Sequence, residues 1–116
     1  MISTKSPPAS APAFRNIKAA LVPRAVPRPR LIDVREPAEF DGELGHIPGA
    51  ELVPLGTLEV AARGWEKDAP LMVVCRSGAR SATAAAVLLR LGFRDVVNVE
   101  GGMRGYVDAG LPVERG

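Results

Sequence analysis

The chain has one cysteine, one histidine, one tryptophan and one tyrosine in 116 residues, and each scarcity excludes something. A lone Cys75 cannot close an intrachain disulfide, and with His46 as the single imidazole there is no set of soft ligands for a structural zinc site. The fold must hold by packing alone, and an unpaired thiol fits the reducing cytoplasm. Long apolar runs are missing too. Even Ala82–Leu89 is short and runs into Arg90, well under the roughly 18 residues of a spanning helix, so a soluble chain without a membrane partner is expected. Acids are absent from residues 1–30, which hold Lys5, Arg15, Lys18, Arg24, Arg28 and Arg30; the remainder carries nine basic and thirteen acidic residues.

That basic leader could touch RNA, an anionic lipid or an import receptor. Its prolines at 7, 8, 12, 23, 27 and 29 oppose a continuous amphipathic helix, and Met1–Phe14 lacks the apolar core of a secretory signal. A loosely ordered, solvated tail over 1–30 is the expectation, with no nucleic-acid partner, and 13–30 is the stretch from which an edge strand could come. Residues 31–116 then form one domain, in line with a composition of 47% hydrophobic and 24% charged residues.

From Leu31 onward, short apolar runs alternate with helical spacing. Leu31–Val34, Ala50–Val53, Leu71–Val74 and Val96–Val99 read as buried strands. Glu36–Phe40 suits a short helix with proline in its first turn, and Thr57–Arg63 and Met103–Ala109 have helical spacing. Ser81–Leu91 is the clearest helix, with Ser81 as a cap and Gly92 to close it. The order predicts an α/β domain with right-handed crossovers and therefore a parallel sheet. Gly101-Gly102 has no Walker or G-x-G-x-x-G context and reads as a turn, so no nucleotide cofactor is expected.

Cys75 falls where the strand Leu71–Val74 ends and the next helix has not begun, the end of a parallel sheet at which ligands bind. The intervening Arg76-Ser77-Gly78-Ala79-Arg80 can curl its N–H groups around the sulfur, and the helix adds its positive end. An ordinary thiol with pKa near 8.5 is only about 3% ionised at pH 7; lowering it by roughly 1.5 units makes it half thiolate, for about 2 kcal/mol of anion stabilisation. Arg76 and Arg80 would give the mouth a positive potential. A buried, inert structural cysteine is the alternative, against which the arginine-flanked strand-loop-helix setting argues.

The segment Cys75-Arg76-Ser77-Gly78-Ala79-Arg80-Ser81 resembles the active-site loop of the rhodanese family. Leu31-Ile32-Asp33-Val34-Arg35-Glu36-Pro37 with Glu39-Phe40, Gly45-His46-Ile47-Pro48-Gly49-Ala50, Gly92-Phe93, Val99-Glu100-Gly101-Gly102 and Gly110–Val113 fit it in order and spacing. The resemblance implies a rhodanese-like fold, a parallel sheet of about five strands flanked by helices on both faces. It also implies a sulfurtransferase that moves a sulfane sulfur from thiosulfate or a related donor through a Cys75 persulfide to a thiol or cyanide acceptor, without a cofactor or metal. Arg76, Ser77, Gly78, Ala79, Arg80 and Ser81 would bind the transferred sulfur and the donor's anionic end. Asp33 and Arg35 would support neighbouring loops, and His46 would organise a turn.

Two other functions stay open at this stage. A persulfide carrier or interaction module would dock a protein acceptor and show little independent turnover, a role the basic leader suits. Phosphatases and arsenate reductases are relatives with one more residue between cysteine and arginine; the four residues separating Cys75 from Arg80 argue against their larger tetrahedral oxyanion.

Overall fold

In the computed structural model, which describes residues 13–115, the apolar runs become the strands of one parallel sheet. The strands are β1 (Arg15–Lys18), β2 (Arg30–Asp33), β3 (Glu51–Leu52), β4 (Leu71–Val74) and β5 (Val96–Glu100), in the order β1-β5-β4-β2-β3. The central strand β4 is buried along its whole length, as a strand covered on both faces must be, and so reads as an unbroken apolar run. Its register sets Leu71 beside Arg30 and Val96, and Val73 beside Ile32 and Asn98.

The helices are α1 (Pro37–Phe40), α2 (Leu55–Ala62), α3 (Ala79–Arg90) and α4 (Gly102–Asp108), with a 3-10 helix over Ala19–Arg24. Alternation along the strands separates two cores. Leu71 and Val73 pack with Ile32, Val34, Leu58, Ala84, Ala85, Leu88 and Phe93 beneath α2 and α3. Met72 and Val74 pack on the other face with Val97, Val99, Met103 and Tyr106, together with Ala19 and Val22 of the 3-10 helix. Helices thus cover both faces of the sheet.

Residues 15–18 form the edge strand β1, pairing Arg15 with Val97 and Lys18 with Glu100, and the 3-10 helix that follows buries Ala19 and Val22. Residues 1–12 of the basic leader lie outside the described residues. Helix α3 begins earlier than the Ser81 cap predicted: Gly78 is its N-cap, at φ 113° and with no side-chain cap bond. Ser81 sits in the first turn instead, fully buried, where its hydroxyl serves another purpose. Gly92, at φ 104°, closes the helix where expected, and the Phe93 amide returns to the Leu88 carbonyl. None of the helices among the described residues is long and apolar enough to cross a membrane.

Candidate active site

Cys75 directly follows β4 and is 1% exposed. The loop beyond it turns because Gly78 adopts a left-handed conformation that an L side chain resists. Its outward carbonyls are tied down from α4: the Met103 amide donates to the Cys75 carbonyl at 2.8 Å, and the Arg104 amide to the Arg76 carbonyl at 2.9 Å. Only glycine fits at 102, since a Cβ there would lie 2.5 Å from both of those oxygens. With the carbonyls held outward, the amides turn inward to the sulfur.

The Gly78 N–H donates to Cys75 Sγ at 3.1 Å, and Ser81 Oγ lies 3.3 Å from the same sulfur. Burial is the largest influence on this thiol and pushes its pKa up. The Ser81 hydroxyl and the amides of Ser81, Gly78 and Ser77 together outweigh that effect, so the net shift is downward. The first turn of α3 adds its positive end. The arrangement is a small nest of N–H groups with a hydroxyl beside it, aimed at the sulfur.

The other residues of the predicted loop divide into groups. Arg76, Ser77 and Ala79 are exposed. Arg80 is bound to a carboxylate: its two terminal nitrogens donate to Glu39 Oε1 and Oε2 at 2.7 and 2.8 Å. That hydrogen bond is the main cause holding the Glu39 carboxyl at a pKa of about 2. Arg80 therefore reaches the mouth with its charge already matched, while Arg76 has no carboxylate partner among the described residues.

Asp33 and Arg35 meet at the end of β2. Arg35 Nε and a terminal nitrogen donate to Asp33 at 2.9 and 2.8 Å, and the same guanidinium donates to the carbonyls of Gly45 at 2.7 Å and Glu39 at 3.2 Å. Both side chains are fully buried, so this ion pair fastens α1 and the Gly45 turn to the sheet. His46 is engaged elsewhere, stacked on Phe40 with ring centroids 3.7 Å apart, its Nδ1 3.0 Å from the Phe40 carbonyl. Among the described residues, no group of three or more His, Cys, Asp or Glu side chains converges as a metal site would require.

Sequence reasoning missed the roles of two residues that bind side chains of the loop. Glu39 was visible only as part of a family pattern, since its partner lies 41 positions away. Asn98 carried a clearer signal, a polar side chain inside the buried run Val96–Val99; it accepts from the Ser81 hydroxyl.

A family model described as "Rhodanese-like domain" matches residues 18–109. The chain is 36% identical over 96 residues to thiosulfate sulfurtransferase GlpE of Pseudomonas putida, covering 83% of this chain and 77% of that protein. It is 40% identical over 76 residues to a Bacillus subtilis protein named "Putative sulfur carrier protein YrkF", where it spans only 40% of the relative's length. In three dimensions it is similar to the crystal structure of a rhodanese-like domain protein from Staphylococcus aureus, with a TM-score of 0.74 and 31% identity over 87% of this chain and 99% of that one. With a cysteine nest at the end of a central parallel strand and a match spanning nearly all the described residues, the chain belongs to the rhodanese-like domain family.

Proposed function

We propose that this protein is a sulfurtransferase that carries a sulfane sulfur on Cys75. The observation that bears most weight is the sulfur's own surroundings: a buried thiol with a lowered pKa, ringed by the amides of Ser77, Gly78 and Ser81 and the Ser81 hydroxyl. In the first half-reaction the Cys75 thiolate attacks the outer sulfur of thiosulfate. A new S–S bond forms, the donor's S–S bond breaks, and sulfite leaves with the electron pair. The product is a Cys75 persulfide anion, and the inward N–H groups suit its negative terminal sulfur. A thiolate or cyanide acceptor then attacks that sulfur and regenerates the Cys75 thiolate. Arg76 attracts the anionic donor, Asp33 and Arg35 brace the loops, and His46 organises its turn without moving a proton. We assign the chemistry to the cytoplasm, where the thiol stays reduced.

The likeness to GlpE favours thiosulfate as donor. The likeness to YrkF favours a second reading, in which the persulfide is delivered to a protein acceptor and small-molecule turnover is slight. The test is to incubate the reduced protein with thiosulfate, remove the donor, and weigh it intact beside Cys75→Ser. The expected result is a reducible gain of about 32 Da, one sulfur atom, in the parent protein alone. Equal gain in the variant would remove Cys75 from its role, and loading without release to cyanide would favour the carrier.

A further inference from the structure

Cys75 is one end of a polar chain that runs to the edge of the sheet. Its sulfur lies 3.3 Å from Ser81 Oγ, the Ser81 hydroxyl donates to Asn98 Oδ1, and Asn98 Nδ2 donates to Asn16 Oδ1 at 3.0 Å. Cys75, Ser81 and Asn98 are buried, whereas Asn16 is exposed on β1.

The proton count decides which arrangement each state of the sulfur allows. Ser81 has a single hydroxyl proton. When Cys75 is a thiol, S–H can donate to Ser81 Oγ while the Ser81 hydroxyl donates to Asn98 Oδ1, and every acceptor is matched. When the sulfur is an anion it has no proton to give, and the Ser81 hydroxyl must turn to it. Two acceptors, Ser81 Oγ and Asn98 Oδ1, would then face each other in a buried place with no proton between them. The Gly78 carbonyl, 3.2 Å from Ser81 Oγ, also accepts from the Ala82 amide at 3.1 Å and so keeps a partner when the Ser81 proton turns away. An amide can relieve the conflict, because its oxygen and nitrogen occupy nearly equivalent positions: turned over, Asn98 donates Nδ2 to Ser81 and presents Oδ1 to Asn16, whose own amide turns to donate.

We propose that Asn98 is a positioning residue for the reactive sulfur, a two-orientation amide that turns over with the charge on Cys75 and passes the turn to Asn16 at the sheet edge. The proposal rests on the reading that Cys75 works as an anion. The charged groups around the site are few and mostly matched: Arg80 with Glu39 of α1, Asp33 with Arg35 at the end of β2, and Arg104 with Asp108 on α4. Arg76 is the exposed exception.

The test is the pH dependence of Cys75 alkylation by iodoacetamide, which needs no sulfur donor and so gives an answer even if thiosulfate loading fails. Asn98→Asp can only accept, so it should hold the Ser81 proton away from sulfur and move the midpoint up by about one unit. Asn16→Asp, also acceptor-only, should raise the midpoint by a few tenths of a unit, and Asn16→Lys, donor-only, should lower it. High salt screens the exposed charge at position 16 while leaving the hydrogen-bond chain in place. In a Ser81→Ala background the Asn16 shifts should vanish, and the Asn98→Asp shift should fall to less than half. Should Asn98→Asp fail to fold, the exposed Asn16 variants carry the test. Unmoved midpoints in the Asn16 variants at high salt, or shifts undiminished in Ser81→Ala, would overturn the proposal.

Discussion

Asp33 and Cys75 stand at the ends of neighbouring strands, with Asp33 in register beside Val74, and both are almost completely buried. Their environments differ in kind. Asp33 has a guanidinium against both carboxylate oxygens, whereas the Cys75 sulfur meets amides and a hydroxyl and no cation. A buried charge that stays put is served by a fixed counter-charge, which would be costly to strand. A sulfur that gains and loses charge, as the proposed function requires of Cys75, is better served by dipoles, since these leave no unmatched ion when it is neutral. The nearby Arg80 fits this division, for its charge is taken up by Glu39.

The largest expected effect tests the fixed half of that contrast. Arg35→Met strands the Asp33 carboxylate and should cost about 3–5 kcal/mol of stability, read from the urea midpoint. A loss below about 1 kcal/mol, the scale of a surface pair, would mean the brace is dispensable. Next comes the dipolar half. Gly102→Ala pushes a methyl group into the carbonyls of Cys75 and Arg76 and should slow persulfide loading about 100-fold through misplacement of the amides, with far-ultraviolet circular dichroism unchanged. Retention of normal loading would show that the cradle tolerates displacement. The smallest effect lies between the two halves. With its pKa lowered to about 2, Glu39 contributes stability in full above the ordinary carboxylate pKa, and that contribution is lost as pH falls through about 2. Glu39→Gln should therefore be less stable than the parent near neutral pH by at most about 1 kcal/mol, because the pair is partly exposed. The difference should close on acidification to about pH 2. A gap independent of pH would assign the effect to packing.

Much of this architecture was legible before any coordinates. Leu71–Val74 could be read as a strand covered on both faces because such burial leaves no alternation, and Cys75 was marked by its place between that strand and the next helix. Edge strand β1 was legible only as a stretch, 13–30, from which it could come: with Arg15, Asn16 and Lys18 exposed, it carries no apolar pattern to mark its bounds and gains its conformation from pairing with β5. Ser81 was misjudged as a cap because Ser before an apolar run satisfies the local rule, while the left-handed glycine at 78 starts the helix sooner and leaves the hydroxyl for the sulfur. The Glu39–Arg80 pair depends on how α1 and α3 approach in space, which no local spacing encodes.

The two rims of the sheet have a bearing on how the molecule behaves in a crowd. An open strand is a template on which another chain can add, and natural proteins blunt such rims with brevity, charge and proline. Here β3 is two residues long with Pro54 close behind, and β1 carries Arg15 and Lys18 before the chain turns into a 3-10 helix containing Pro23. Neither rim offers a long apolar ladder, so the sheet that carries Cys75 at its end presents a poor template for adding a further strand from another copy.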